Sequence, residues 1–184
     1  MPPRKISEPW GAFLSSLDGS LHEDVELVCM GGFVVALQYG FQRPTADIDV
    51  LEVRSASRTT DLMTLAGRGS PLHKKHKIYL DKVTVAALPE GYEDRLTEMF
   101  PGVFRYLRLL ALDPYDLALS KLERNAERDR EDVYYLAETV PLVLGVLKRR
   151  YEDEMRPYLG NGIQERTDLT LRLWIDAVEE RRGN

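Results

Sequence analysis

The stretch MGGFVVALQYGFQRPTADIDVLEV, Met30 to Val53, decides the fold. The apolar run before it, Val25 to Met30, reads as a short strand. Gly31-Gly32 breaks that pattern, and Phe33 to Tyr39 has helical character. Gly40 is placed to end the helix, and Arg43-Pro44-Thr45 makes a turn. Ala46 to Val53 then alternates apolar and acidic residues, as a strand with one polar side does. Asp47 and Asp49 stand two apart, so a strand turns both to one face. Two carboxylates so close repel, and at neutral pH something positive must hold them.

A divalent cation with oxygen ligands is the natural partner of such a pair. Mg²⁺, with Mn²⁺ as its substitute, takes one or two protein carboxylates and fills its shell with water and phosphate oxygens. The glycine pair adds a second element. Between a strand and a helix it exposes backbone N–H groups at a helix start, where phosphate binds. Taken singly, each signal is weak. Asp-x-Asp is common on exposed strand faces, and Gly-Gly more often marks only a turn. Their order carries the argument: apolar strand, Gly-Gly, helix, turn with Arg43 and Thr45, then Asp-x-Asp.

That order resembles the nucleotidyltransferase superfamily, the fold shared by DNA polymerase beta, kanamycin nucleotidyltransferase and small toxin–antitoxin enzymes. The superfamily pattern is Gly-Gly or Gly-Ser, a spacer of about ten residues, then Asp-x-Asp; here the spacer between Gly32 and Asp47 is fourteen residues. More narrowly, the segment with Arg43 and Thr45 looks like the branch holding AbiEii-type toxins and the DUF6036 group. In the second half DPYDLALSKLERNAERDREDVYYL, Asp113 to Leu136, resembles that branch's helical motif, a Lys followed by Arg-Asp-x-x-Asp. The matching residues are Lys121 and Arg128-Asp129-Arg130-Glu131-Asp132. On one helix Lys121, Arg124, Arg128 and Asp132 would form a single polar stripe. The bland alternative for that stripe is a solvated face with surface ion pairs.

The resemblance implies roles. Asp47 and Asp49 hold the metal, and Gly31, Gly32, Arg43 and Thr45 lie about the nucleotide. Lys121 faces its phosphates, with Arg128 as a further cation. A third carboxylate on a later strand activates the attacking hydroxyl, and Asp81 in IYLDKV is the best-placed acid for it. A strand-end or turn carboxylate is the equal alternative for Asp81. The implied substrate is a nucleoside triphosphate and the implied acceptor a tRNA end or a protein hydroxyl. A cognate antitoxin-like protein is the implied partner of a toxin member. A nucleotide- or partner-binding protein with a degraded site, and a Mg²⁺-dependent phosphoester hydrolase, remain open beside the transferase.

The rest of the chain sets bounds. Its 184 residues suit one α/β domain, with a mixed-sheet core over about 1–103 and a helical part over about 104–184. Trp10 to Leu21 has helical spacing ending at Asp18-Gly19, and Arg58 to Gly67 reads as a further helix. Ile78 to Ala87 reads as a strand, and Phe104 to Leu112 fits either a strand or a short helix. Asp113-Pro114-Tyr115-Asp116 is a strong helix start, and Thr167 to Arg181 an amphipathic C-terminal helix. His73-Lys74-Lys75-His76-Lys77 lacks a cysteine or acid at metal-ligand spacing and reads as a solvated basic loop able to meet a nucleotide or an RNA end. A net charge of −5 argues against a protein that coats nucleic acid in bulk. No run approaches a membrane span, MPPRKISEPW has no signal-peptide core, and the single Cys29 suits a reducing compartment; a cytoplasmic protein is expected.

Overall fold

β1 (Val25–Met30) is the middle strand of a five-stranded mixed sheet, with order β3-β2-β1-β5-β4. It runs antiparallel to β2 (Asp47–Ser55) and parallel to β5 (Leu107–Ala111). β3 (Tyr79–Lys82) pairs parallel with β2 at one edge, and β4 (Thr97–Met99) pairs antiparallel with β5 at the other. The central position of β1 accounts for its composition. Leu27, Val28 and Cys29 are fully buried, and alternation disappears because both faces are covered.

The computed structural model describes residues 6–55 and 61–183. They form two units, Met1–Thr84 with Leu96–Ala111, and Val85–Arg95 with Leu112–Asn184. The first holds the sheet with α1 (Trp10–Asp18), α2 (Gly31–Leu37), α3 (Leu62–Ala66) and α4 (Pro71–His76). Phe13, Leu14 and Leu17 of α1 and Phe33, Val34 and Val35 of α2 are buried with Ile48, Val50 and Leu80 of the strands. The expected stop at Asp18-Gly19 is where α1 ends. The Asp18 carboxylate also accepts the backbone N–H groups of Arg105, Tyr106 and Leu107 at 3.1, 2.8 and 2.9 Å. It thereby ties the entry of β5 to the end of α1.

β2 contains an irregularity. Val28 stands opposite Glu52 but Cys29 opposite Val50, so Leu51 has no register partner on β1. One extra residue in one strand is a β-bulge. It leaves Asp49, Glu52 and Arg54 opposite Met30, Val28 and Glu26, and Val50 and Val53 opposite Cys29 and Leu27. Asp49, Glu52 and Arg54 thus keep one face of β2 across the irregularity, and Val50 and Val53 the other.

The second unit is helical: α5 (Pro114–Leu119), α6 (Glu127–Thr139), α7 (Leu144–Arg150) and α8 (Asn161–Gly183). Asp113 caps α5 as expected, accepting the N–H of Asp116 at 2.8 Å with Pro114 in the first turn. A buried charge network follows. Asp116 receives Arg95 at 2.9 Å and Arg150 at 3.0 Å, and Arg150 also meets Asp113 at 2.8 Å. Burial pushes the Asp116 carboxyl up from its ordinary value, against the pull of the Arg95 hydrogen bond. Trp174 is buried and donates to Asn125 Oδ1 at 3.1 Å.

Several sequence expectations change here. The strand expected to reach Ala87 ends at Lys82, and Val85 is exposed. The basic run His73–Lys77 is a helical turn rather than a loop, capped by Ser70 and closed by Lys77 at φ 62°. Phe104 to Leu112 resolves as a strand, selected by its pairing with β1. Of the expected helix from Arg58, Leu62–Ala66 is helical and residues 58–60 lie outside those described. The single polar stripe through Lys121 and Asp132 does not form, because α5 and α6 are separated by residues 120–126. Asn125 there has φ 46°, which no continuous helix accommodates.

Candidate active site

Sheet register builds the site. Asp49 stands across β1 from Met30, the residue just before the glycine pair, and beside Asp81 of β3. Asp47 stands beside Tyr79. Two residues on β2 and one on β3 therefore share one face, and one carboxylate oxygen from each of Asp47, Asp49 and Asp81 lies within 4.8 Å of the others. Asp47 and Asp49 are half-buried and Asp81 is exposed. The acid expected on a later strand is thus in place beside the pair.

Gly31 is dictated twice. It opens α2 at φ 71°, and a Cβ there would overlap the Asp49 carboxylate. The carboxylate therefore lies directly against the backbone that starts the helix. Gly32 is constrained more gently, since a Cβ would come within 3.0 Å of the Arg43 guanidinium and 3.9 Å of Thr45 Oγ1. Arg43, whose Cζ is 5.6 Å from the centre of the Phe41 ring, is thus beside Gly32. Thr45 donates its hydroxyl to the Asp47 carboxylate, fixing that side chain from the turn before the strand. Gly31, Gly32, Arg43, Thr45, Asp47, Asp49 and Asp81 all belong to the first unit. Burial, helped by the nearby Asp49 charge, pushes the Cys29 thiol far up, so it stays neutral beneath the strand.

Lys121 and Arg128 belong to the second unit. Lys121 is only 4% exposed, with its ammonium 2.8 Å from Asp132 and 3.5 Å from Asp129. Asp129 also receives Arg124 at 2.8 and 2.5 Å and the N–H of Ala126 at 2.9 Å, closing the start of α6. Burial alone would raise the Asp129 carboxyl, but the Arg124 hydrogen bonds, Lys121 and the Ala126 N–H hold it below its ordinary value. Arg128 is exposed on the first turn of α6.

Tyr79 and Arg68 escaped the sequence reading. Arg68 lies over the Tyr79 ring, 4.5 Å from its centre, and donates to the Tyr79 hydroxyl. Burial, followed by the Asp47 charge, raises the Tyr79 hydroxyl above its ordinary value. The available signal was parity: Tyr79 is two residues before Asp81 and so shares its face.

Three converging carboxylates form an all-oxygen donor set of the kind hard divalent cations take. Their partial exposure leaves room for phosphate and water ligands. The model of the family described as "Nucleotidyltransferase of unknown function (DUF6036)" matches residues 13–181. The chain belongs to this family. Comparison with curated proteins and with solved structures gives no match. The protein is therefore a nucleotidyltransferase, its substrate a nucleotide. No helix among the described residues is long and apolar enough to cross a membrane.

Proposed function

We propose that this nucleotidyltransferase moves a nucleoside monophosphate from a nucleoside triphosphate to an acceptor hydroxyl. The observation that carries the proposal is the convergence of Asp47, Asp49 and Asp81 against the Gly31 helix start. Asp47 and Asp49 would hold Mg²⁺ or Mn²⁺, with Asp81 completing the donor set. When bound, the cation neutralises charge on the phosphates and lowers the cost of its build-up as the reaction proceeds.

The chain's own residues do the rest. Backbone N–H groups at Gly31 and Gly32 would donate to phosphate oxygens. Arg43, beside Gly32, adds a guanidinium for the same phosphates. Thr45 keeps Asp47 oriented. Asp81, the exposed acid, accepts the proton of the attacking hydroxyl. The acceptor oxygen bonds to the α-phosphorus, the bond from that phosphorus to the α,β-bridging oxygen breaks, and pyrophosphate leaves. Lys121 and Arg128 are not needed by this reading, which rests on the first unit alone. Lys121 is assigned instead to fixing the start of α6 through Asp129 and Asp132.

The test is incubation with each labelled triphosphate, Mg²⁺ or Mn²⁺, and pools of RNA and protein. Label transfer with stoichiometric pyrophosphate is expected, and its loss in Asp49→Ala. Phosphate release without transfer would instead identify a hydrolase; metal-dependent nucleotide binding without turnover would identify a binding protein. A toxin role predicts growth arrest on expression that Asp49→Ala relieves.

A further inference from the structure

We propose that a hollow between the start of α1 and the turn before β2 takes the base of the triphosphate, with Trp10 against its ring and Glu8 and Lys77 at its edge. The inference rests on the transfer reading above for the way the triphosphate runs. Its first support is a chain of contacts. A Cβ on Gly31 would overlap the Asp49 carboxylate, so the backbone suited to phosphate lies against that acid. Asp47 is two residues earlier on the same face of β2. The Thr45 hydroxyl donates to Asp47, and Thr45 lines a hollow of about 460 Å³. Glycine backbone, Asp49, Asp47, Thr45 and hollow thus follow one another, all within the first unit. In the transfer the α-phosphorus reacts at the carboxylates. With the β- and γ-phosphates at Gly31 and Gly32, the Thr45 side is left to the nucleoside.

The walls of that hollow suit a flat ring. Trp10, Pro44 and Ile78 line it. An indole face and a proline ring offer apolar surface on which an aromatic base stacks. Trp10 and Pro44 also line a second hollow of about 450 Å³, on the side of Arg43. The pair therefore stands between two open spaces and not inside a packed core. Nor does α1 need Trp10 for its own packing, because Phe13, Leu14 and Leu17 are fully buried. Trp10 Nε1 is covered, yet it has no hydrogen-bond partner among the described residues. A covered donor left unpaired costs stability, and a phenylalanine in the same place would avoid that cost.

Polar groups at the same hollow supply a second observation. Glu8 and Lys77 both line it and both are exposed. Opposite charges on one hollow ordinarily close on each other, but no ion pair joins these two. Glu8 is held by the start of α1, where its Oε2 accepts the Ala12 N–H at 3.1 Å. Lys77 is held by its backbone, which closes α4 at φ 62° and donates to the His73 carbonyl. An ionised carboxylate only accepts hydrogen bonds and an ammonium only donates them. The edge of a nucleobase carries donors and acceptors side by side, in an order that differs from base to base. An acceptor and a donor fixed on one hollow therefore fit some edges better than others, which makes Glu8 and Lys77 specificity-determining residues.

The experiment uses the full chain with Mg²⁺ and each of ATP, GTP, CTP and UTP, and with inorganic tripolyphosphate as the probe that lacks a base. Binding is read by calorimetry and by tryptophan emission, and transfer from each labelled triphosphate is followed beside it. The four affinities are expected to span at least about tenfold, because polar groups paired by one base edge are left unpaired by another. Nucleotides are expected to quench the wild-type emission and to leave that of Trp10→Phe unchanged, where Trp174 is the one remaining tryptophan. Trp10→Ala is expected to weaken every nucleotide at least about fivefold and tripolyphosphate not at all. Glu8→Gln and Lys77→Gln are each expected to narrow the span, again without moving tripolyphosphate. Equal affinity for the four nucleotides overturns the proposal, as does quenching that persists in Trp10→Phe. An equal loss of tripolyphosphate in Trp10→Ala also overturns it, by making Trp10 a support of the fold. A span unchanged in both Glu8→Gln and Lys77→Gln removes the base edge from those residues and overturns it too. Base-selective binding without transfer from any triphosphate sinks the transfer reading and leaves the base in its hollow. Transfer at one kcat/KM from all four does the opposite.

Discussion

Two clusters of aspartates in this protein obey opposite rules. Asp129 and Asp132 in the second unit are fully covered, and Lys121 and Arg124 meet them at 2.5 to 3.5 Å. Asp47, Asp49 and Asp81 in the first unit retain access to solvent and bring their oxygens within 4.8 Å of each other. A buried carboxylate with a cation beside it is a completed structural unit. Carboxylates gathered around a common space on an accessible face are arranged for something that arrives. Number of acids does not separate the two clusters; the direction in which they point does.

The contrast is broken most decisively by Asp49→Ala. Transfer should fall by about 10³-fold or more, roughly 4 kcal/mol of barrier, while the thermal midpoint stays level or rises as repulsion is relieved. Labelled transfer and a melting curve on the same sample check both halves, and a large drop in midpoint would make Asp49 structural. Lys121→Met should do the reverse, costing about 3 kcal/mol of stability in denaturant titration by leaving Asp132 buried without the ammonium it meets at 2.8 Å. Adding Asp132→Leu should return part of that loss, and no recovery would contradict the pairing as its cause.

Gly31→Ala should come next. It forces a side chain into a left-handed backbone at about 1–2 kcal/mol and against the Asp49 carboxylate. Metal-dependent nucleotide binding should weaken with it, whereas Gly32→Ala, which meets only the movable end of Arg43, should be milder. The smallest effect is in acid. The Asp129 carboxyl titrates below its ordinary 3.8 when folded, so its stabilisation is complete above that value and is lost as pH falls through the folded one. Asp129→Asn should lack that part of the acid slope, and a wild-type slope retained by the variant would assign it elsewhere.

The sequence made some of this legible for a local reason. Period-two spacing put Asp47 and Asp49 on one face, and Gly-Gly marked the turn from strand to helix, without knowledge of distant partners. Asp113-Pro114 carried its own cap. The unreadable parts depend on pairing across the chain. β4 is three residues long and exists through β5, and the β5 segment was ambiguous until β1 selected it. The polar stripe failed because a helical wheel assumes continuity, and Asn125 breaks it. Lys121 and Asp132 nevertheless meet, across the break instead of along a helix. Asp81 was legible as a lone acid among apolar neighbours, but its companionship with Asp49 is a matter of register. Arg68 was invisible because nothing local predicts a cation folding back onto a tyrosine eleven residues later.

The bulge in β2 bears on how this strand tolerates change in length. Leu51 is the one residue of Cys29's neighbourhood in β2 without a place in the β1 register, and the residues on either side continue the alternation as if it were absent. Removing Leu51 would leave Asp49, Glu52 and Arg54 on one side and Val50 and Val53 on the other, as they are now. Removing Val50 would keep the same alternation, with Leu51 moving into its place opposite Cys29. The strand thus carries a spare position, a point where its length can drift by one residue while the acids keep their common face.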